Sequence, residues 1–585
     1  MNNNSSFKQN IKDLLKYIED KKLLIFSFSL LLIANFILSY VPFVAGQITD
    51  QLSYYSNNKE LGLYWNDLIL KLLFLLVLYV VGNGTSIITN KIIMKISRKV
   101  SFRLRRDLEN KLHKLPINYV DTRPGGNILS IVTSDIPLVE NLVETSLVNL
   151  LVQTSIIILV MAMMLYLNQM LAIVYIILIP LTFFLMNFIT SKTKTQFKKQ
   201  QNTIGKLNGY VNDIFSNHQL IEGFTMEKHS KEEFKKLNKN SFDAYLNSRF
   251  ISGFIIPLNF MINNIGYIFI CLFGSISIIN GSLTIGDFLA FLLYGQMLNT
   301  PLTSISTSMN NVQSGFAALE RATDLLNEEE DIEKDDTILL DLNKVEGNIE
   351  FSHVEFGYTP DKVLFHDISL SVKKSMVIAI VGPSGAGKTT LVNLLMRFYD
   401  INSGKICLDG VDISNYLKVD LRKVFAVVLQ DSWVFEGTIA ENIGYGKKNA
   451  TIEDIVNVSR IVGCDSFIDL LPDGYDTYIS SEKSSLSVGE KQLLVLARTV
   501  IADPKILILD EATSQMDTRT ETIVTKAMEE LMKNRTTFVI AHRLFTIKNA
   551  DSIIFMKDGD IKEVGNHEEL LKLNGLYAEM YYSKT

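Results

Sequence analysis

The sequence predicts an all-α polytopic membrane domain followed by an α/β domain built around a phosphate-binding loop. Six charge-free or nearly charge-free apolar segments occupy the first half, at 23–46, 72–90, 145–167, 171–190, 251–279 and 288–308. Each is close to the ~20 residues that cross the hydrocarbon of a bilayer. The run VGPSGAGKTT follows at 381–390, and a second apolar run, at 506–509, ends in an Asp-Glu pair. The two halves are therefore built for different solvents.

Composition narrows the function classes. The chain has 585 residues, 47% of them apolar, and a formal net charge of −6. No basic face stands out in the second half, so a nucleic-acid role is disfavoured. Cys271, Cys407 and Cys464 are odd in number and lack metal-ligand spacing. We therefore expect free thiols rather than a disulfide framework or a zinc site.

Four regions are predicted. Ile11, Leu14, Leu15 and Ile18 have helical i, i+3, i+4, i+7 spacing, which is typical of an amphipathic helix either on the membrane surface or in solvent. The acidic run that starts at Glu328 is typical of a solvated linker. The predicted regions are an N-terminal cytoplasmic or interfacial helix at 1–22, a transmembrane domain at 23–320, an acidic linker at 321–345 and a nucleotide-binding domain at 346–585.

Charge in the loops predicts the topology. The loop 91–124 carries ten Lys or Arg residues and 190–250 is similarly basic, whereas the opposite loops contain little beyond Lys59. The positive-inside rule then places the basic loops, both termini and the nucleotide-binding domain in the cytoplasm of a multi-pass protein of the plasma or inner membrane. Because the basic regions are long, we expect the crossing helices to extend into the cytoplasm. They would reverse near 117–126 and 210–223, where they could touch a cytoplasmic motor.

The predicted crossings contain almost no ionisable residue, which disfavours a proton-coupled mechanism. Their polar and aromatic residues allow two interpretations: they line a cavity for an amphipathic cargo, or they hold helices together. The residues are Asn35, Asn83, Asn263, Asn264, Gln296 and Asn299, with Tyr40, Phe43, Met161, Tyr267, Phe291, Tyr294 and Met297.

The glycine-rich run has the context strand, loop, helix, because MVIAIV precedes it and LVNLLMRFYD follows it. Glycines let successive N–H groups converge on phosphate oxygens, and the helix start adds positive potential. Lys388 would reach the β- and γ-phosphates, and Thr389 would ligate Mg²⁺. The predicted ATP-binding residues here are Gly382, Pro383, Ser384, Gly385, Ala386, Gly387, Lys388, Thr389 and Thr390.

The Asp-Glu pair ends the second apolar run, where open α/β sheets place their ligands. Asp510 would hold Mg²⁺ directly or through water. Glu511 would polarise the attacking water, since phosphoryl transfer requires an aligned nucleophile and charge neutralisation. Alone, such a pair could merely cap a helix; beside the glycine loop, catalysis is favoured.

The order of motifs resembles that of ABC transporters over nearly the whole chain. The motifs are FGYTP with Tyr358, the glycine loop, VVLQDSWVFEGTIAENI with Gln430, LSVGEKQ at 486–492, LILDEATS at 507–514, Asp517, and IAHRL with His542. The six-crossing half resembles the exporter subfamily, through GSLTIGDFLAFLLYGQMLNTPL and SGFAALERATDLL.

The resemblance implies a role for each matching position. Tyr358 would stack on adenine, Gln430 would contact Mg²⁺ and the attacking water, and His542 would contact the γ-phosphate. The signature and the residue after it would act on the nucleotide bound by the opposite subunit. These residues are Ser487, Val488, Gly489, Glu490 and Asp517. One glycine loop and one signature per chain imply a dimer of half-transporters.

Two positions depart from the usual signature, since Val488 replaces a glycine and Glu490 replaces a glutamine. The second change adds negative charge where a γ-phosphate would bind, while Glu511 is intact. In heterodimeric relatives, such a chain often pairs its weakened signature with the partner's degenerate site. A heterodimer is therefore favoured over a homodimer.

The resemblance implies an ATP hydrolase, with ATP and Mg²⁺ as cofactors, that couples binding and hydrolysis to alternating-access export. The cargo would be an amphipathic drug, lipid or peptide. Two alternatives remain open at this point: an importer on the same fold, as in some siderophore-uptake relatives, and an ATP-gated channel or regulator.

Overall fold

The computed structural model describes residues 3–57, 65–123, 125–331, 338–359, 362–429, 433–480, 486–510, 518–540 and 547–584. The chain forms two compact units. The first consists of Met1–Lys114 and Arg123–Glu329, and the second of Leu115–Thr122 and Glu330–Thr585.

The first unit is helical, with α4 assigned by its contacts to the second. The helices are α1 (Asn3–Tyr17), α2 (Lys21–Asn57), α3 (Trp65–Leu112), α4 (Ile117–Asp121), α5 (Gly125–Ser130), α6 (Ile136–Asn141), α7 (Leu147–Leu167), α8 (Gln169–Ser216), α9 (His218–Gly223), α10 (Glu227–Gly253), α11 (Ile255–Ile279), α12 (Ile285–Met297) and α13 (Asn299–Asn327). Wider π-helical turns, Ile131–Asp135 and Leu142–Ser146, join α5 to α6 and α6 to α7.

Five continuous helical stretches in the described part of the chain are long and apolar enough to cross a membrane. They are Lys21–Tyr55, Trp65–Leu112, Gly125–Leu167, Gln169–Ser216 and Glu227–Ile279. The sixth predicted segment, 288–308, is divided between α12 and α13, which meet at Leu298. Proline explains the division: the Pro301 ring clashes with the carbonyl four residues earlier, and α12 ends at that residue, Met297.

The predicted cytoplasmic turns fall between helices. The first contains α4, and the second contains α9, between the end of α8 and the start of α10. At the other end of the unit, α2 and α12 approach closely: a Cβ on Gly286 would lie 2.0 Å from the carbonyl oxygen of Gly46. The Asp50 carboxylate accepts hydrogen bonds from the Gly286 amide at 2.6 Å and from the Thr284 hydroxyl at 2.7 Å. These glycines let two helices pack backbone to backbone.

Near its end, α13 is joined to the first π-helical turn by an ion pair. Arg321 donates from Nε and Nη2 to the two carboxylate oxygens of Asp135, at 2.9 and 2.6 Å. Asp135 is buried, and this hydrogen bonding raises the pKa of Arg321. Helix α13 then continues to Asn327, into the region predicted as linker.

The second unit is an α/β domain. Its strands are β1 (Ile349–Phe356), β2 (Phe365–Val372), β3 (Val377–Val381), β4 (Ser403–Leu408), β5 (Val411–Asp412), β6 (Phe425–Val428), β7 (Gly437–Thr438), β8 (Tyr478–Ile479), β9 (Ile506–Asp510), β10 (Thr536–Ile540), β11 (Ser552–Lys557) and β12 (Asp560–Gly565). Its remaining helices are α14 (Lys388–Leu395), α15 (Lys418–Lys423), α16 (Ile439–Gly444), α17 (Ile452–Val462), α18 (Asp465–Ile468), α19 (Val488–Ala502), α20 (Thr518–Met532), α21 (His567–Leu573) and α22 (Leu576–Lys584).

Six strands form the central sheet, in the order β12-β11-β3-β10-β9-β6, with only β12 antiparallel to its neighbour. Strand β3 shows why the sheet is buried on both faces: Ile378 and Ile380 enter one core, and Ala379 and Val381 enter the other. Such β-branched runs are typical of parallel strands covered on both sides. The carboxyl ends of β3, β9 and β10 consequently meet at one edge.

An antiparallel sheet of order β2-β1-β4-β5 packs beside the central one, and β7 pairs with β8. The first cytoplasmic turn also belongs to this unit, where Tyr399 donates a hydrogen bond to the Asp121 carboxylate. Burial, together with this bond, raises the pKa of Tyr399. The hydroxyl therefore stays protonated and able to donate at neutral pH.

Candidate nucleotide-binding site

The glycine loop connects β3 to α14. Gly385 and Gly387 have φ values of +81° and +99°, in the left-handed region that L side chains rarely adopt. A Cβ on Gly387 would also lie 2.5 Å from the Phe365 ring. The loop therefore requires glycine at Gly387 for two reasons, backbone conformation and space.

Helix α14 begins directly at the lysine of the loop, without a side-chain cap. Its N-cap is Gly387, and no side chain accepts a hydrogen bond from the first turn. The Lys388 ammonium group folds back across the loop and donates to the carbonyl oxygens of Gly382 and Pro383, both at 2.9 Å. An uncapped helix start beside a buried ammonium group is a favourable place for an anion.

A cavity of about 610 Å³ lies over this loop, at the carboxyl edge of the central sheet. It brings the loop together with two residues from distant parts of the sequence, Tyr358 and Asp510. Its lining is Tyr358, Thr359, Lys362, Leu364, Ser384, Gly385, Gly387, Lys388, Thr389, Thr390, Asp510 and Ile540. Of the other predicted loop residues, Gly382 and Pro383 hold the lysine, and Ala386 is buried beneath the loop.

Tyr358 forms one wall of the cavity. Its hydroxyl is hydrogen-bonded to the Thr390 hydroxyl at 2.9 Å, and its ring packs edge-on against Phe356 and Tyr399, with centroids 5.0 and 5.1 Å apart. The side chain is nonetheless 44% exposed. One aromatic face is thus held in place and remains available for a planar ligand.

Asp510 is the last residue of β9 and is paired in register with Ile540 of the neighbouring strand. Its carboxylate and the exposed Thr389 hydroxyl line the same cavity. Both are oxygen groups of the kind that Mg²⁺ prefers, so these residues fit the predicted ion. Gln430, Glu511, Asp517 and His542 lie outside the described residues.

The signature sequence forms the start of α19. Ser487 is the N-cap, and its hydroxyl accepts from the Glu490 amide at 3.3 Å. The Glu490 carboxylate accepts from the Ser487 amide at 2.7 Å and from its hydroxyl at 2.9 Å. Val488 is exposed and Gly489 is buried. This is a complete capping box, so the polar groups of Ser487 are already satisfied within the chain.

Behind the signature, Arg498 of α19 is enclosed by Trp433, Phe435 and Tyr445, with ring centroids 5.8, 5.6 and 5.6 Å from its guanidinium carbon. It donates to the Trp433 carbonyl oxygen at 3.1 Å and to the Asn442 carbonyl oxygen at 2.9 Å. Burial lowers the pKa of Arg498. The arginine ties the signature helix to the segment that follows Gln430, a connection that the sequence analysis missed.

A second cavity, of about 940 Å³, lies in the first unit between α8, the α10–α11 junction and α13. Its lining is Met186, Thr193, Phe197, Arg249, Ser252, Gly253, Ile255, Ile256, Thr303, Ser304, Ser306, Thr307, Asn310, Gln313, Ser314 and Ala317. One side is apolar, the other carries hydroxyls and amides, and Arg249 is the charged residue of the lining. Such a cavity suits an amphipathic molecule.

The residues predicted to line a cavity do not line this one. Asn35 instead donates to the Ser155 hydroxyl across helices at 2.7 Å, and Phe291 and Tyr294 are fully buried in the helix core. The cavity-lining interpretation is therefore wrong for this cavity, and the helix-packing alternative describes Asn35. The signal that could have located the cavity is the helical spacing of Thr303, Ser306, Thr307 and Asn310 along α13.

The fold and the site define a membrane-embedded helical domain joined to a nucleotide-binding domain. Residues 24–302 match the family described as ABC transporter transmembrane region, and residues 365–514 match the family described as ABC transporter.

Among similar proteins is a fatty acid ABC transporter ATP-binding/permease protein of Mycobacterium tuberculosis (strain CDC 1551 / Oshkosh). It is 40% identical over 483 residues, covering 83% of this chain and 76% of that protein. An ATP-dependent lipid A-core flippase of Syntrophus aciditrophicus (strain SB) is 32% identical over 552 residues, covering 94% of this chain and 90% of that protein. A bacterial Atm1-family ABC exporter solved with ATP bound matches with a TM-score of 0.77 at 25% identity, covering 97% of this chain and 98% of that one.

The chain therefore belongs to the ABC transporter family. It has the layout of an exporter half-transporter, an ATP-binding and ATP-hydrolysing membrane protein that drives transport. Half-transporters of this type dimerise.

Proposed function

We propose that the chain is the half-subunit of an exporter whose cargo is a lipid-like amphiphile with an acidic head group. The observation that carries this proposal is the cavity of the first unit, where one cation stands among hydroxyls opposite an apolar wall. The relatives named as a fatty acid transporter and a lipid A-core flippase support the same class of cargo.

Arg249 is the residue that would select the acidic head. It is exposed, lies over the Tyr245 ring at 5.5 Å, and no carboxylate of the described residues forms an ion pair with it. A guanidinium group can hold a carboxylate or phosphate through two parallel hydrogen bonds. A neutral amphiphile of the same length would lose this contact.

The experiment compares a fatty acid, a fatty alcohol and a fatty amine of equal chain length, using ATPase stimulation and transport in inside-out vesicles. The acid is expected to stimulate most, Arg249→Gln to abolish the preference, and Arg249→Lys to retain part of it. Equal stimulation by all three cargoes would overturn the proposed class. Movement of the cargo out of inside-out vesicles would overturn export, and the cargo class would then have to be tested in the import direction.

For the ATP site, we propose the roles implied by the motifs. Tyr358 stacks on adenine, Lys388 binds the phosphates, and Thr389 and Asp510, with Gln430, hold Mg²⁺. The ion would neutralise charge on the transferring phosphoryl group. Removal of Mg²⁺ with a chelator is expected to stop hydrolysis.

Two further residues, outside the described part, complete the proposed chemistry. Glu511 takes up the proton of the attacking water, and His542 contacts the γ-phosphate. Asp517 would lie at the seam between subunits. The motifs support these assignments, and substitution tests them one by one.

A heterodimer is the proposed assembly, and the capping box supports it. If Ser487 and Gly489 are to contact a γ-phosphate of the opposite subunit, the phosphate must approach the Glu490 carboxylate, which already occupies the helix start. Like charges at such distance repel. A partner whose intact signature completes this chain's own ATP site would supply the active half. Full ATPase and transport rates from the chain purified alone would contradict the heterodimer.

The proposed orientation places both termini and the nucleotide-binding domain in the cytoplasm. Ion pairs join Asp20, directly before the first apolar segment, to Lys99, at 3.0 Å, and Glu19 to Arg103. The start of α2 and the basic part of α3 therefore lie on the same side of the membrane. Accessibility of cysteines introduced in these segments, measured in oriented vesicles, tests the assignment.

A further inference from the structure

A basic groove lies on α3 just beyond its apolar part, in the first unit. It has a volume of about 520 Å³. Its lining is Glu19, Lys91, Met94, Lys95, Arg98, Lys99, Phe102, Arg103 and Arg106. Six of these nine side chains carry positive charge and come from one helix.

Helical periodicity explains why the cations gather on one face. Ile93, Ile96, Val100, Leu104 and Leu108 are buried against the other helices. The residues between them, which carry the lysines and arginines, therefore point the opposite way. The basic face is not used for packing within the first unit.

The charge of this face is only partly neutralised. Lys99 pairs with Asp20 at 3.0 Å, and Arg103 pairs with Glu19. For Lys91, Lys95 and Arg98, no described carboxylate lies within ion-pair distance. These three cations lie at i, i+4 and i+7, so they are neighbours on the helix surface.

The groove lies at the depth of lipid head groups. Lys91 directly follows the apolar segment 72–90, which puts it at the edge of the hydrocarbon. Lys99 and Arg103 contact Asp20 and Glu19, and these acids come just before the apolar segment 23–46. The two helices together place the membrane surface between Lys91 and Arg103, a rise of about 18 Å.

We propose that Lys91, Lys95 and Arg98 bind the phosphate of an anionic membrane lipid. A juxtamembrane cluster of this size attracts anionic lipids, because each cation near the surface adds to the attraction. Phe102, 67% exposed in the same groove, offers an apolar contact that a lipid satisfies better than a free anion. The proposal goes beyond the exporter function and requires only that α3 crosses a membrane.

The experiment uses the full-length protein in neutral detergent micelles, titrated with phosphatidylglycerol, phosphatidylcholine or inorganic phosphate, with bound molecules counted by native mass spectrometry. The test variant is Lys91→Gln/Lys95→Gln/Arg98→Gln. A matched control, Arg105→Gln/Lys235→Gln/Lys239→Gln, removes the same charge from exposed positions outside the groove. A charge-retaining variant, Lys91→Arg/Lys95→Arg/Arg98→Lys, checks that the site needs charge.

Phosphatidylglycerol is expected to bind in preference to phosphatidylcholine, and the test variant to weaken its binding roughly a hundredfold. The control and the charge-retaining variant should bind as the wild-type protein does. Equal loss in test and control variants would overturn the site. Equal binding of both lipids would overturn its charge selectivity, and binding of inorganic phosphate as tight as that of lipid would replace the lipid with a soluble anion. If the test variant fails to fold, an affinity of the wild-type protein that does not fall with added salt overturns the proposal.

Discussion

Two helix starts in the second unit are predicted to face phosphate, and they differ in one respect. At α14 the N-cap is glycine, and no side chain binds the first turn. At α19 the N-cap is Ser487, and the Glu490 carboxylate completes a capping box. One start leaves its amide groups for a ligand, and the other has an anion of its own.

The difference shows that stability and ligand binding compete for the same groups. A capping box stabilises a helix by satisfying amides that would otherwise lack partners. The glycine loop gives up that stabilisation and adopts left-handed backbone at Gly385 and Gly387. We infer that the first start binds nucleotide strongly and the second weakly.

The largest expected effect comes from Glu511→Gln, which removes the proposed base while keeping the side-chain size. Loss of a general base costs about 10²- to 10⁴-fold in rate, so turnover should nearly stop while ATP binding persists. Single-turnover hydrolysis and nucleotide retention measure the two steps separately. Near-normal turnover would remove Glu511 from the mechanism.

Lys388→Ala is expected to weaken ATP binding itself, by roughly a hundredfold, because a charge-assisted contact to phosphate is worth about 1.5–3 kcal/mol. Equilibrium binding of a fluorescent ATP analogue measures the loss. Lys557→Ala removes an exposed lysine of the same domain and serves as the control. If both variants bind alike, the loop is not the phosphate site.

Gly387→Ala introduces a Cβ where φ is +99° and the Phe365 ring is 2.5 Å away. Left-handed strain costs about 1–3 kcal/mol, so the loop should distort and ATP affinity fall about tenfold. Gly410→Ala provides the comparison, since φ is +82° there but nothing lies within 4 Å of the added atom. An equal effect of both substitutions on ATP affinity would contradict the requirement for space.

Ser487→Ala is expected to loosen the start of α19 and leave α14 unchanged. Loss of a serine N-cap costs about 1 kcal/mol, which corresponds to roughly fivefold faster amide exchange in the first turn. Hydrogen exchange followed by mass spectrometry resolves the two helix starts in one experiment. Unchanged exchange at α19 would mean that the cap contributes no stability.

The sequence predicted those features that depend on local chemistry. The glycine loop, Asp510 at a strand end and the apolar helices each follow from residues close together in the chain. The break at Leu298 was missed, because the 288–308 segment satisfies the apolar criterion and the effect of Pro301 falls four residues earlier. The cavity was missed because Arg249 belongs to a basic segment whose charge had been assigned to topology alone. Gln430, Glu511, Asp517 and His542 stay predictions.

The smallest expected change is also the most direct test of the contrast between the helix starts: the ATPase rate of the full-length chain purified alone, compared with Glu490→Gln. The amide can still cap α19 but carries no charge, and one unit charge about 4 Å from a phosphate costs about 1 kcal/mol even in water. We expect a low wild-type rate that rises about fivefold in the variant, while Glu529→Gln, an exposed change on α20, has no effect. A wild-type rate equal to or above that of Glu490→Gln would contradict the account.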